Sequence, residues 1–211
     1  MLVQITCRML TELSLRERAA KIVDKKYREE GYIRGDTVAP SKIAAYISLD
    51  EADVFGAFIN EQLYGTLSLV FDDKRGLPMD SIYKDEIDVF RTKKYKLGEV
   101  VQFAVDKVIL EEQLSPYEVS GSSLPLFGCL LSYAKKNDFD FLCITVNPKH
   151  VSFYTLIGFE KIGDIKYYAS VDAPAVAMTL AVKGVHGEWF NKNSVTKMIK
   201  TFFERHQTDN A

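Results

Sequence analysis

The chain has 211 residues, 47% hydrophobic and 27% charged, which fits one globular domain with a sizeable core, with or without an appendage. The formal net charge of −2 gives no electrostatic reason to expect nucleic acid or an acidic membrane as a partner. No apolar run approaches the roughly 18 residues of a membrane span, so no transmembrane segment is expected.

The first predicted elements are a strand and a helix. Apolar and polar residues alternate over 3–9, which is typical of a half-buried strand and not of a signal peptide. Ser14 and Glu17 have the spacing of a capping box, and apolar residues then recur at helical spacing. This pattern predicts a helix that ends at Gly31, followed by a polar, poorly patterned segment over 34–50.

The middle of the chain predicts a hairpin and a second helix. Strands are predicted over 53–59 and 63–71, and the three residues 60–62 between them indicate a tight turn. Asp80 has the residue type of a helix N-cap, and the spacing of the apolar residues after it predicts a helix to about Arg91.

Strands and helices alternate in the remaining pattern, with a charged loop predicted for 106–121. The continuous apolar run at 139–146 is typical of a buried central strand. The further predicted elements are strands at 98–105, 159–169 and 175–182, and helices at 126–136 and 189–205.

The cysteines and histidines give no metal-binding pattern. Cys7, Cys129 and Cys143 are an odd number at unrelated spacings, and each lies in an apolar run, which predicts buried free thiols. His186 and His206 lie in a polar C-terminal segment and are predicted to be solvated. Free thiols indicate a reducing compartment, so we expect a cytoplasmic protein without a metal.

The most specific local pattern is the stretch 144–160. An apolar strand ends in Asn147-Pro148, and Pro148 suits the first turn of a short helix. Tyr154 lies near the end of that helix, and Gly158 is a helix stop. The spacing leaves two interpretations open, a functional tyrosine beside a strand end or a merely packed aromatic residue.

This pattern of Asn, then Tyr, three residues and Gly-Phe resembles the C-terminal half of the GNAT acyltransferases. The order of elements over about 3–182 is also similar to the GNAT fold, and 63–69 and 128–134 resemble its second hairpin arm and its cofactor helix. The resemblance implies an α/β (α+β) fold, with a mixed, mostly antiparallel central sheet flanked by helices. We expect a GNAT-like domain at 1–183 and an amphipathic helical extension at 184–211.

The segment 120–128 departs from the acetyl-CoA enzymes of that superfamily. Those enzymes carry an Arg/Gln-x-x-Gly-x-Gly/Ala loop whose N–H groups hold the pyrophosphate of coenzyme A. Here the basic residue and the paired glycines are missing, and Pro125 removes one N–H donor. A helix N-terminus with Ser122 and Ser123 could still hold the single phosphate of a phosphopantetheine arm. The segment therefore favours acyl carrier protein as the donor, while acyl-CoA or acetyl-CoA with a loosened loop stays open.

The segment 97–106 resembles the Glu-x-x-Arg-Phe-Ala-Val strand of two families, the acyl-homoserine-lactone synthases and the long-chain N-acyl amino acid synthases. Both are GNAT relatives that take acyl groups from acyl carrier protein. The segments 27–32 and 147–154 extend the resemblance, and the second is most similar to the N-acyl amino acid synthases. Gln102 stands where these families usually have Arg. This difference affects the expected contacts with the amino acceptor more than it affects the expected fold.

The resemblance implies an N-acyltransferase that moves a fatty acyl group from acyl carrier protein to the amine of an amino acid. Two alternatives stay open. One is an acetyl-CoA-dependent N-acetyltransferase with a degenerate cofactor loop, and the other is a catalytically silent GNAT-like domain that binds an acyl chain or a protein. Gln102 in place of Arg and the missing loop support the second alternative.

Acyl transfer to an amine needs a base for the ammonium proton, donors for the oxyanion and an acid for the leaving thiolate. Glu99 is the predicted base, because burial at the start of an apolar strand would raise its pKa, and a surface strand-end carboxylate is the alternative. Tyr154 is predicted to donate to the departing sulfur. The predicted acyl-donor-binding residues are Val101, Phe103, Ser122, Ser123, Gly128 and Asn147.

A basic cluster lies next to Glu99 in the sequence and consists of Arg91, Lys93, Lys94 and Lys96. A solvated face is the usual explanation of such a cluster. Because the surface of acyl carrier protein is acidic, we also predict that the cluster is a docking patch for the carrier.

Overall fold

The computed structural model describes residues 4–33, 52–169 and 171–208, so the polar segment predicted at 34–50 lies outside the described residues. The strands are β1 Ile5–Met9, β2 Ala52–Ile59, β3 Gln62–Phe71, β4 Leu97–Val105, β5 Phe141–Val146, β6 Glu160–Lys161, β7 Lys166–Tyr168 and β8 Ala173–Ala181. The α-helices are α1 Leu13–Glu29, α2 Asp80–Thr92, α3 Lys107–Glu111, α4 Pro116–Gly121, α5 Leu124–Lys136, α6 Val151–Ile157 and α7 Ser194–Thr208. Short 3-10 helices occupy Pro148–His150, Val182–Gly184 and Trp189–Asn191.

The strands form an eight-stranded sheet in the order β1-β2-β3-β4-β5-β8-β6, and β7 pairs with β8. β1 is antiparallel to β2, and β8 is antiparallel to β5, β6 and β7, whereas β4 and β5 are parallel. The predicted mixed, mostly antiparallel sheet is confirmed. No described helix is long and apolar enough to cross a membrane.

The described residues divide into two compact units. The first unit takes its residues from 1–68, 102–132 and 198–211, and the second from 69–101 and 133–197. The boundary expected at residue 184 stays a prediction.

In the first unit, α1 packs its apolar face on a core that includes Val23, Val54 and Phe58. The helix begins at Leu13 after Glu12, so the predicted capping box at Ser14 is wrong. Ser14 has the right spacing but lies inside the first turn. The helix ends as predicted, with Gly31 at a φ of 75°, the left-handed region that favours glycine.

The hairpin of this unit is confirmed. Asn60 and Glu61 connect β2 to β3, and both have positive φ, 46° and 66°. A two-residue turn of this kind matches the right-handed twist of paired strands. Gln62, expected in the turn, is already the first residue of β3.

The loop predicted for 106–121 is wrong, because this segment contains α3 and α4. Asp106 caps α3 by accepting a hydrogen bond from the N–H of Val108 at 3.1 Å. Ser115 and Glu118 form a capping box for α4, and Pro116 occupies its first turn. Both helices are shorter than the window over which apolar periodicity is readable.

The second unit has its own core, which includes Met79 at the N-cap of α2 and Tyr83 and Ile87 within the helix. Met79 is the N-cap of α2, so the prediction that Asp80 caps it is wrong. The Asp80 carboxylate instead accepts a hydrogen bond from the N–H of Leu77 at 2.9 Å.

The helix predicted at 189–205 is interrupted. Trp189–Asn191 forms a 3-10 turn, and α7 starts at Ser194. Between them the Asn193 carboxamide accepts a hydrogen bond from the N–H of Thr196 at 2.9 Å, which is a cap that ends one turn and starts the next helix.

Candidate active site

Glu99 is a carboxylate enclosed within the second unit. Its side chain is 2% exposed. One oxygen accepts a hydrogen bond from the N–H of Met79 at 2.8 Å, and the other accepts one from the Thr145 hydroxyl at 3.4 Å. Burial raises the pKa of Glu99 from 4.5 to about 8, against the lowering effect of these two hydrogen bonds, and the nearby Asp80 raises it further. The expected burial is confirmed, and the role of Glu99 as the catalytic base stays a prediction.

Two partners of Glu99 were not predicted from the sequence. Thr145 is a polar residue inside an apolar strand, and this irregularity is a signal that could have identified it. Met79 binds through its backbone, so its side chain carries no signal of the contact.

The pairing of β4 with β5 ends close to Glu99. The parallel register runs from Leu97 opposite Phe141, through Glu99 opposite Cys143, to Val100 opposite Ile144. Among the described residues, no pair of these two strands follows, although β5 continues to Val146. Val101 is therefore the first β4 residue beyond the part of the strand that pairs with β5.

Tyr154 lies on α6, the helix that follows β5. Its side chain is 8% exposed and packs edge-on against Phe153 and Phe159, with ring centroids 5.2 and 5.9 Å away. Gly158 ends the helix at a φ of 108°, as predicted. β5 contains Thr145, whose hydroxyl donates to the Glu99 carboxylate, and the helix that follows β5 in the chain contains Tyr154.

Comparison with protein families gives a match over residues 18–181 to the family described as N-acyl amino acid synthase FeeM. The chain belongs to the FeeM family of N-acyl amino acid synthases. The structure of FeeM, an N-acyl amino acid synthase from uncultured soil microbes, is 38% identical, with a TM-score of 0.74, over 93% of this chain and 98% of that chain. The predicted family and N-acyltransferase activity are confirmed.

Other solved structures share the GNAT fold with this FeeM-family chain. The acyl-homoserine-lactone synthase LasI is 16% identical, with a TM-score of 0.58, over 94% of this chain and 93% of that chain. An N-acetyltransferase from Staphylococcus aureus Mu50 is 14% identical, with a TM-score of 0.55, over 86% of this chain and 99% of that chain. At these identities the likeness concerns the fold alone. A search of curated proteins gave no match.

Gln102 of this FeeM-family chain is a buried amide in the first unit. It has a positive φ of 56°, unusual for a residue within a strand, and its side chain is 5% exposed. Its Oε1 accepts a hydrogen bond from the Ser68 hydroxyl at 3.2 Å, and its Nε2 has no hydrogen-bond partner in the described part of the chain. A buried donor without a partner costs about 1–3 kcal/mol. The sequence signal here is a Gln at the position that related families fill with Arg.

The predicted donor-binding residues of the first unit have structural contacts. The Ser122 hydroxyl donates to the carbonyl of Val119 at 2.7 Å, while Ser123 is partly exposed. Phe103 packs against Phe127 with ring centroids 5.3 Å apart. A Cβ on Gly128 would lie 2.6 Å from Phe202 Cβ, so this glycine permits the close approach of α7 to α5. Binding of the acyl donor by these residues stays a prediction.

Asn147 caps the 3-10 turn before α6. Its carboxamide oxygen accepts a hydrogen bond from the N–H of Lys149 at 3.1 Å, which is the strand-end Asx turn. A role of Asn147 in binding pantetheine amides stays a prediction.

Arg91 of the basic cluster is held by three carboxylates. It donates to Asp72 and Asp80, each at 2.7 Å, and to Asp88 at 2.8 Å. These hydrogen bonds raise the pKa of Arg91, and they neutralise its charge within the unit. Of the predicted docking residues, Arg91 is therefore the one least suited to meet an acidic partner.

The lysines of the cluster are exposed. The Lys96 ammonium donates to the carbonyl of Asn137 at 2.6 Å and lies 4.8 Å from the centre of the Phe139 ring. Lys93 and Lys94 follow the end of α2 and present their charges to solvent. They are the members of the cluster that best fit a docking patch.

Proposed function

We propose that this protein transfers a fatty acyl group from the phosphopantetheine thioester of acyl carrier protein to the amine of an amino acid. The family supplies the reaction class. The observation that carries the mechanism is Glu99, a buried carboxyl with a pKa raised to about 8 beside the end of the β4–β5 pairing.

In the proposed reaction, the ionised Glu99 first takes the ammonium proton of the amino acid, which then passes to solvent. The amine nitrogen attacks the thioester carbonyl carbon, a C–N bond forms and the C–S bond breaks. The ionised Glu99 accepts the proton that the amine loses, directly or through a water molecule. Tyr154 donates its phenolic proton to the departing sulfur, and the proton held by Glu99 returns to the phenolate through solvent. A backbone N–H group near Val101 stabilises the negative charge on the carbonyl oxygen.

Glu99 must be ionised to act as a base, so the pH dependence has a definite sign. Below a pH of about 8 the carboxyl is mostly protonated, and above it the base form predominates. We expect kcat/KM to rise with pH through this region, where a base near its pKa exchanges protons efficiently.

The donor is tested with one acyl chain on two carriers. Steady-state rates with acyl carrier protein and with coenzyme A, each carrying the same long-chain acyl group, give the preference, and mass spectrometry identifies the N-acyl amino acid. We expect a higher kcat/KM with the carrier protein, because the segment 120–128 lacks the loop that holds the coenzyme A pyrophosphate. An equal or higher kcat/KM with the matched acyl-CoA would contradict the proposed donor.

Docking of the carrier is tested by charge reversal. The variant Lys93→Glu/Lys94→Glu should raise KM for acyl carrier protein and weaken its salt dependence, while KM for acyl-CoA changes little. Lys21→Glu reverses another exposed lysine, on α1, and is the matched control. An unchanged KM for the carrier across a salt titration would assign Lys93 and Lys94 to an ordinary solvated face.

A further inference from the structure

Two cysteines and a histidine meet inside the first unit. Cys7 comes from β1, Cys129 from α5 and His206 from α7. The two sulfur atoms and one imidazole nitrogen all lie within 4.8 Å of one another. Cys7 and Cys129 are buried, and His206 is partly buried. The sequence predicted buried thiols, a solvated His206 and no metal. It did not predict that the two thiols and the imidazole lie close together.

The spacing suits a shared metal ion. Zinc binds cysteine sulfur at about 2.3 Å and histidine nitrogen at about 2.0 Å, so in a tetrahedral site the ligand atoms of one ion lie about 3.5–3.8 Å from one another. The three atoms are therefore close enough that small side-chain rotations would bring them onto one ion. Two thiolates with an imidazole form a ligand set that selects zinc over magnesium or calcium, which prefer oxygen.

The arrangement is also more than a pair of thiols. The His206 imidazole nitrogen lies within the same 4.8 Å limit as the two sulfur atoms. A disulfide between Cys7 and Cys129 would join two of the three groups, whereas a metal ion uses all three.

We propose that Cys7, Cys129 and His206 bind a Zn²⁺ ion, with a non-protein ligand in the fourth position. The ion would join β1, α5 and α7, three elements that are far apart in the sequence. Binding displaces the thiol protons, so affinity increases with pH. This site is independent of the proposed acyl transfer, and its test needs no activity measurement.

The first experiment uses the unmodified protein with Co²⁺ as a spectroscopic probe. Thiolate ligands give Co²⁺ a charge-transfer band in the near ultraviolet, and added Zn²⁺ should abolish it. A competition titration with a chromophoric chelator then gives the Zn²⁺ affinity. With Zn²⁺ at about 100 times its Kd, the melting temperature should rise by about 5–10 °C.

The second experiment uses Cys129→Ser and His206→Ala. Loss of outer-shell partners already weakens metal binding by about 10–100-fold, so loss of a ligand should weaken Zn²⁺ binding by about 100-fold or more. The matched controls are Cys143→Ser, which removes the third buried thiol, and His186→Ala, which removes an exposed imidazole. Both controls should bind Zn²⁺ as the parent does.

Three outcomes would overturn the proposal. The first is a parent protein that shows neither a Co²⁺–thiolate band nor saturable Zn²⁺ binding. The second is unchanged affinity in both ligand variants. The third is a Cys7–Cys129 disulfide in freshly purified protein, found by peptide mapping. The Co²⁺ spectrum decides even if a ligand variant fails to fold, because it needs no substitution.

Discussion

Replacement of Glu99 by Gln should change how the stability of the protein depends on pH. The side chain is buried, and the pKa of its carboxyl rises from 4.5 to about 8 on folding. Gln keeps the shape and cannot ionise. Its amide oxygen can accept the Met79 N–H, and its NH₂ can donate to the Thr145 hydroxyl, so both polar contacts have replacements.

The magnitude follows from proton linkage. Between pH 4.5 and about 8 the unfolded chain has lost the Glu99 proton and the folded chain keeps it, so the free energy of unfolding falls as pH rises. Each pH unit in this window corresponds to about 1.4 kcal/mol. The parent should therefore lose about 5 kcal/mol relative to Glu99→Gln across the window, of which about 4 kcal/mol lies between pH 5 and pH 9.

Urea unfolding at a series of pH values measures this difference. Fluorescence of the single tryptophan, Trp189, reports on the second unit, which also holds Glu99. Subtracting the variant from the parent cancels the titration of all other groups. Glu160→Gln replaces an exposed carboxylate of the same unit and should show no such pH trend.

A difference between parent and Glu99→Gln that stays constant within about 1 kcal/mol from pH 5 to pH 9 would refute the reasoning. It would mean that Glu99 is ionised in the folded protein near neutrality.

In the same variant we expect kcat to fall about 10²–10⁴-fold, the usual contribution of a positioned base, with partial recovery at high pH. Parental turnover would assign the base to another group.

Three further predictions concern other residues. Tyr154→Phe should lower kcat by about 10²-fold or more with little change in KM, since its hydrogen bond matters most as the thiolate develops, and steady-state kinetics measures this. Gly158→Ala should destabilise the protein by about 2–4 kcal/mol in urea unfolding, because its φ is 108° and the new Cβ would lie 2.7 Å from Trp189 Nε1. Ser68→Ala/Gln102→Met removes the Gln102 Nε2 donor, which has no partner among the described residues, together with the Ser68 hydroxyl that donates to Oε1. Stability should hold or rise by about 1 kcal/mol, and kcat/KM should fall because Gln102 stands at the position expected to contact the amino acceptor.

The contrary outcomes are equally specific. Parental kcat in Tyr154→Phe would make this residue a packed aromatic. Parental stability in Gly158→Ala would show that the left-handed conformation and the indole contact relax at little cost. If the double variant keeps parental kcat/KM, the Gln102 amide has no part in substrate binding, and the single variant Ser68→Ala separates the effect of the lost hydroxyl.

Local sequence patterns predicted much of the fold because their causes are local. Gly31 and Gly158 end helices as expected, since the backbone there needs a positive φ that glycine adopts freely. The failures were also local. Ser14 and Asp80 have the residue type of an N-cap, but each lies inside the first turn, since a helix start is decided by backbone conformation as well as by side chain.

The sequence by itself determined the family, the longer strands and helices, and the identity of Glu99 and Tyr154 as candidates, because these depend on contiguous motifs. Only the tertiary structure showed that Met79 and Thr145 hold the Glu99 carboxylate and that burial raises its pKa. Desolvation depends on everything packed around a group, which no local pattern records.

The same reason applies to the two features that the sequence did not predict. The Nε2 of Gln102 is buried and has no hydrogen-bond partner among the described residues, a result of packing that its neighbours in the chain do not reveal. Cys7, Cys129 and His206 are separated by most of the sequence and meet only because β1, α5 and α7 fold onto one core. Motifs reveal ligands at short spacings, whereas ligands drawn from distant elements are assembled by the packing of those elements.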